Sequence, residues 1–234
     1  MDIKILKKLE TENNREYAYR LIRYNIMSLQ ILPGAAINEG ELAELLNVSR
    51  TPIREAILML KEEDLVEVIP QSGSKVSLID ISILKEGHFL RATIEPEIIN
   101  RLAGNMSEEQ MNRLKENLEK QQEILELESA DKIDSFVKMD DKFHHIIYEA
   151  DKKNKVWDAV KRISSHYDRA RYLDAIMNNA DLNKILKEHQ NIYYLLLIGY
   201  SSEDILRKFY DNHLSTYKKN FKSIMEKYPE YFKI

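Results

Sequence analysis

The chain has 234 residues and a mass of 27.6 kDa, which allows one large domain or two small ones. With 44% hydrophobic and 32% charged residues, 6 Gly, 5 Pro and no Cys, it is an ordinary globular composition. It excludes collagen-like chains, disulfide frameworks, thiolate zinc fingers, iron–sulfur clusters and thiol catalysis. The net charge is −4, and acidic residues slightly outnumber basic ones on both sides of Leu78, so DNA contact would have to come from local geometry rather than bulk charge.

In chain order, the first ten residues carry Lys4, Lys7 and Lys8 and have no signal-peptide core. The most apolar run, Tyr193 to Tyr200, falls far short of the ~20 residues that cross a bilayer. A cytoplasmic protein with no membrane partner is expected. Ala18, Leu21, Ile22 and Leu29 form a helical stripe that ends before Pro33-Gly34. Asn38 and Glu41 have capping-box spacing ahead of a short helix through Leu42, Ala43, Leu45 and Leu46. After a tight break at Asn47-Val48, Ser49 is placed to cap a helix with Pro52 in its first turn. Its buried side is Ile53, Ala56, Ile57 and Leu60. Val66, Val68 and Ile69, a Pro70–Ser74 turn, then Val76, Leu78 and Ile79 read as a hairpin. Helix, short helix, turn, helix, hairpin is the order of a winged helix-turn-helix.

Opposite the buried side of the last of these helices lie Arg50 and Arg54, one turn apart, with Ser49 and Thr51 at the N-terminal end. Arginine donates bidentately to guanine or phosphate, and recognition helices present their N-terminal residues to bases. Two exposed arginines that are merely solvated, or paired with Glu, would give the same spacing.

From Asp80 onward six or seven helices and no strands are expected: Ile83–Leu102 with Pro96 inside it, one opening at the capping box Ser107–Gln110, Ile133–Ala150, Val156–Ile176, Leu182–Ile198 and Ile205–Met225. An antiparallel all-α bundle is the natural architecture. Four polar residues interrupt its apolar stripes. Asp140 and His144 share a face with Phe136, Phe143 and Ile147; His189 lies among Ile185, Leu186, Ile192 and Leu196; His213 lies with Leu206, Tyr210, Leu214 and Tyr217. A single inward histidine is usually a hydrogen-bonded core residue. Three on three helices, with a carboxylate one turn from one of them, satisfy one another best through a divalent cation. Ligand type favours zinc, with nickel or manganese also compatible. His145 falls on the other side of its helix and should take no part, and His88 and His166 read as surface or ordinary packing residues.

The wording of two stretches adds a resemblance. Pro33-Gly34, Leu42-Ala43, Val48–Ile57, Leu65-Val66 and Gly73–Val76 closely resemble the DNA-binding domain of the GntR family of bacterial regulators. Gly40 and Ser72 depart from it, standing where relatives often have polar or basic residues. Asp140-x-x-Phe143-His144, Glu188-His189 and His213-Leu214 resemble the ligand-binding domain of the FCD branch of that family. The resemblance implies a mostly α chain with a winged helix-turn-helix over residues 1–78 and an effector-binding, dimerising helical domain over 79–234. It implies DNA contact through Ser49, Arg50, Thr51, Arg54 and the wing glycine Gly73. It also implies a metal on Asp140, His144, His189 and His213 whose coordination a small organic acid completes. Arg91-x-x-x-Glu95 matches a family signature too; Arg91 would meet an effector carboxylate or simply pair with Glu95. Asn154 matches an asparagine expected to cap the next helix. The expected function is a homodimeric regulator, a repressor by analogy, on a palindromic double-stranded DNA operator. A metal-dependent enzyme is the rival, disfavoured because no further Glu, Lys or Ser is evident on the inward stripes. A regulator with a metal-free polar core is the third possibility.

Overall fold

The computed structural model describes residues 3–178, 181–199, 202–215 and 218–234. Asn13 opens the first helix, α1 (Asn14–Met27), with a complete capping box to Glu16. Asn38 accepts from the backbone of Gly40 and Glu41 at the start of α2 (Glu39–Leu45). Asn47 takes a left-handed φ of 51°, which asparagine tolerates better than most residues, and turns the chain into α3 (Arg50–Lys61). Strands β2 (Val66–Ile69) and β3 (Gly73–Val76) pair antiparallel, with Val68 opposite Ser74. The short β1 (Ala36–Ile37) joins the other side of β3. Gly73, at φ 92°, has open space where a Cβ would stand, so backbone conformation alone asks for glycine at this turn. Leu21, Ile22 and Ile26 of α1, Leu42 of α2, Ile53, Ile57 and Leu60 of α3, and Val66 and Val76 of the wing form one apolar core. The winged helix-turn-helix expected from the sequence is the structure observed.

A second apolar core belongs to the helices that follow: α4 (Ile81–Leu102), α5 (Glu108–Glu126), α6 (Lys132–Ala150), α7 (Asn154–Ile163), α8 (Ser165–Asn178), α9 (Leu182–Ile198), α10 (Glu203–Leu214) and α11 (Lys218–Lys227). α4 continues through Pro96, and Ser107 makes the expected capping box with Gln110. No described helix is long and apolar enough to cross a membrane.

Four expectations are corrected. The helix expected over Val156–Ile176 is two, α7 and α8, broken at Ser164. α4 approaches the chain closely at this break: a Cβ on Gly87 would stand 2.9 Å from the Cα of Ser164. The helix expected over Ile205–Met225 is also two, since α10 ends at the C-cap Ser215; Tyr217 lies outside the described residues. The second part is not strand-free. β4 (Ile79–Asp80) pairs parallel with β5 (Phe232–Lys233), with Ile79 opposite Phe232. Asn154 is not the cap of α7. The turn residue Lys152 takes φ 58°, Lys153 occupies the cap position without a side-chain bond, and Asn154 is already helical.

The two cores are joined through the first turn of α8. Arg169 is fully buried and donates to the carbonyls of Ser77 (2.7 Å) and Leu78 (3.3 Å), in the segment between β3 and β4. His166, read above as surface or ordinary packing, is buried at this junction. Its Nδ1 accepts from the backbone N–H of Asp80 at 2.9 Å, and its Nε2 lies 3.0 Å from the carbonyl of Asp64. A carbonyl only accepts, so Nε2 carries the proton and the ring is neutral. Ser165 donates to the carbonyl of Glu63, whose carboxylate pairs with Arg23 of α1 at 2.9 Å. Near the N-terminus, Lys4 exchanges backbone bonds with the Asn25 side chain of α1, while its ammonium reaches Asp131 beside α6 at 2.9 Å.

Arg169→Ala should cost about 3 kcal/mol in denaturant unfolding, because two carbonyls lose a charged donor in a dry site. Burial, reinforced by Arg169, pushes the His166 imidazole down from 6.5 to about 3. The folded chain therefore holds it neutral while the unfolded chain protonates it. Its contribution to stability is present above pH 6.5 and is lost progressively as pH falls toward about 3. His166→Gln keeps one donor and one acceptor without titrating. It should flatten unfolding midpoints against pH relative to the wild type across that window.

Candidate metal centre and nucleic-acid interface

The exposed face of α3 is built as its pattern required. Ser49 occupies the cap position but its side chain makes no capping bond. Ser49, Arg50, Thr51 and Arg54 are all exposed. Arg54 is 64% exposed and its Nε lies 2.7 Å from Glu39 of α2, an exposed pair that holds little energy against a competing phosphate or base. A Cβ on Gly40 would stand 3.3 Å from Nη2 of Arg50, so the departure from the family pattern leaves that guanidinium room across the start of α2. Gly73 is exposed at the wing.

Inside the bundle, α6, α9 and α10 bring Asp140, His144, His189 and His213 together, each at least 95% buried. The three histidines place one ring nitrogen each within 4.8 Å of the others. Nε2 of His144 is 3.4 Å from Nε2 of His213, and Nε2 of His189 is 3.4 Å from Oδ1 of Asp140. Every Nδ1 is directed outward to an oxygen: Glu95 for His144 (3.0 Å), Gln121 for His189 (2.8 Å) and Glu188 for His213 (2.8 Å). These outer oxygens accept, so they hold the protons on Nδ1 and turn the Nε2 lone pairs inward, the orientation that metal-ligating histidines take from their outer partners. Burial pushes His189 down to about 3, and burial likewise lowers His213 against the pull of Glu188. Neutral imidazole is the ligating form.

Asp140 also accepts from Arg171 Nη2 at 3.1 Å. Burial alone would raise its carboxyl, but the Arg171 guanidinium outweighs that and holds it well below the usual carboxylate range. Its Oδ2 and the Nε2 of His189 are buried with no hydrogen-bond partner. Unmatched acceptors are costly to bury alone; the three converging imidazole nitrogens fit a divalent cation, and Asp140 stands beside that triad through His189. His145 takes no part; it stacks on Trp157 at 5.3 Å.

Arg91 of α4 pairs through Nε with Glu95 at 2.6 Å, while its buried Nη2 has no hydrogen-bond partner. Glu95 thus joins Arg91 to His144. The expectation of no further inward carboxylate is corrected: Glu95 is 2% exposed and Glu188 partly buried, and both are committed to the histidines. The pattern contained a signal for Gln121, a polar residue at helical spacing from Leu114, Leu118 and Leu125. None marked Arg171.

Two family models match the chain, the gntR family of bacterial regulatory proteins over residues 14–76 and the FCD domain over residues 86–216. The chain belongs to the GntR family. It is 28% identical over 222 residues to the HTH-type transcriptional repressor RspR of Escherichia coli K12, covering 95% of each chain. A Streptomyces ambofaciens HTH-type regulator in an unstable DNA locus is 33% identical over 77% of this chain and 74% of its own. The solved structure of E. coli McbR/YncC shares the fold with a TM-score of 0.72 at 19% identity, covering 93% of this chain and all of that one. This chain is accordingly a transcriptional regulator of that family with an FCD effector-binding domain.

Proposed function

We propose that this GntR regulator is a cytoplasmic homodimeric repressor. Its winged domain (residues 1–78) would read a palindromic operator, and its helical domain (79–234) would bind a divalent metal, zinc first, with a small organic acid. The observation that carries the reading is the set of three buried imidazoles whose Nδ1 atoms are each held by an outer acceptor, leaving Nε2 directed inward. Asp140, His144, His189 and His213 hold the metal. The metal, when bound, supplies a Lewis-acid centre for the effector carboxylate. The unmatched Nη2 of Arg91 is the second anchor for that carboxylate. Arg50 and Arg54 contact base edges and phosphates from the major groove, Ser49 and Thr51 the backbone at the helix start, and the wing at Gly73 the adjoining groove. A repressor role is supported by the name that RspR carries. A two-fold dimer doubles a reading surface only a few base pairs wide. Effector and operator are then linked, each altering the affinity of the other by one factor.

Arg54→Ala should weaken operator binding by about 1–3 kcal/mol in fluorescence anisotropy against operator and scrambled duplexes, with circular dichroism unchanged. Equal operator affinity of variant and wild type would remove α3 as the reading element.

For the metal, His144→Ala, His189→Ala and His213→Ala should each lose the ion in mass-spectrometric metal analysis of protein purified without chelator or nickel resin. His145→Ala should keep it. Metal analysis also separates zinc from nickel and manganese. A metal-free wild type that takes up none of the three would leave a regulator with a metal-free polar core.

A further inference from the structure

Two amides sit one turn apart on the buried side of α5. Asn117 and Gln121 are 2% and 0% exposed, on the same helix as the buried Leu114 and Leu118. Amides in such a place are costly unless they are bonded, and these are bonded in one direction. Nδ2 of Asn117 donates to the backbone carbonyl of Met139 on α6 at 3.1 Å. A carbonyl only accepts, so the Asn117 amide is turned with Oδ1 toward Gln121, whose Nε2 donates to it at 2.7 Å. Gln121 must then present Oε1 to Nδ1 of His189, 2.8 Å away. One backbone oxygen of α6, on the residue just before Asp140, thus orients both amides and sets an acceptor against a ring of α9.

His189 is the ring for which this acceptor matters most. The inner nitrogens of His144 and His213 face each other at 3.4 Å, whereas that of His189 faces Oδ1 of Asp140, also at 3.4 Å. A neutral imidazole has one proton, and here an oxygen stands at each of its nitrogens. If Asp140 took the proton, Nε2 would become a donor with no lone pair for a metal. We propose that Gln121, braced by Asn117, is the positioning residue that keeps the proton of His189 on Nδ1 and so leaves Nε2 open to a divalent ion. The proposal rests on the metal reading above and names the group that decides whether this ligand is available. A carboxylate is ordinarily the stronger acceptor, but distance reverses the order. The 2.8 Å bond to Gln121 is a full one, while 3.4 Å to Asp140 lies beyond the usual N–H···O range of about 2.7–3.2 Å. Arg171 also draws on the same Oδ1, at 3.1 Å. With the proton held on Nδ1, a lone pair and a carboxylate oxygen are left facing each other in a dry core. Binding a cation relieves that repulsion; the ring's own proton would otherwise have done so.

The test uses full-length protein stripped of metal and carrying isotope-labelled histidine. Long-range proton–nitrogen NMR reads which ring nitrogen of His189 is protonated, the signal being assigned by its loss in His189→Ala. In the wild type the proton should be on Nδ1, and in Gln121→Leu it should move to Nε2. Zinc affinity is then measured by competition with a colorimetric chelator. Gln121→Leu should weaken it by about 10–100-fold, the usual effect of losing an outer partner. Gln121→Glu returns an acceptor oxygen to the same place and should restore both the Nδ1 proton and most of the affinity, a rescue that a packing role would not give. Should Gln121→Leu fail to fold by circular dichroism, Asn117→Leu frees the Gln121 amide to turn and should weaken zinc severalfold. A wild-type ring protonated at Nε2 overturns the proposal and leaves the metal reading standing. So does a folded Gln121→Leu or Asn117→Leu variant with the tautomer and zinc affinity of the wild type. A wild type that takes up no zinc overturns the metal reading, and the tautomer of the zinc-free ring then decides the positioning role by itself.

Discussion

A buried guanidinium with no carboxylate beside it holds this molecule's two cores in one arrangement. Arg169 meets only carbonyls and the His166 ring, and burial lowers it to about 9. It stays charged at neutral pH because the connecting segment points two backbone oxygens at it. That makes a segment with little apolar surface of its own energetically specific, since another path for residues 77 and 78 would strand the charge. The neighbouring His166 and Ser165 extend the same grip to the residues just after α3. Polar bonds from α8 to the connecting segment and to the residues after α3 thus help to set the pose of the winged domain, together with the Lys4–Asp131 contact beside α6.

The same desolvation logic governs the bundle core. Asp140 and three imidazoles would be a liability among Phe136, Phe143 and Ile147 if each sought its own partner. Glu95, Gln121 and Glu188 divide the ring nitrogens into an outer set that is bonded and an inner set that converges. Phe143, stacked 4.4 Å from His189, closes the apolar side. The outer acceptors come from α4, α5 and α9, so the orientation of the inner nitrogens depends on how several helices pack.

Much of this was legible in the sequence. The winged domain was, because its elements are short, amphipathic and punctuated by Pro33-Gly34, Asn47 and Gly73. So were the four inward polar residues of the bundle, since a histidine or carboxylate inside a 3.6-residue apolar stripe stands out by spacing alone. The break at Ser164 was not. No glycine or proline marks it, and the close approach of α4 there joins residues far apart in the sequence. His166 and Arg169 carried no pattern signal either, as their partners are backbone groups some ninety residues earlier. The pairing of β4 with β5 joins two-residue strands from distant parts of the chain, too short for any alternation to show. Local periodicity reports which face is buried, and it is silent on which polar groups meet across the fold.

The contact at Gly87 has a mechanical meaning. Where side chains meet, a small displacement is absorbed by rotamers; where backbone meets backbone, nothing gives. Gly87 sits one turn before Arg91 on α4, against Ser164, and the next two residues, Ser165 and His166, hold Glu63 and Asp64. The backbone of α4 beside Arg91 is thus tied to Glu63 and Asp64, just after α3, through a backbone contact and two hydrogen bonds rather than through rotamers.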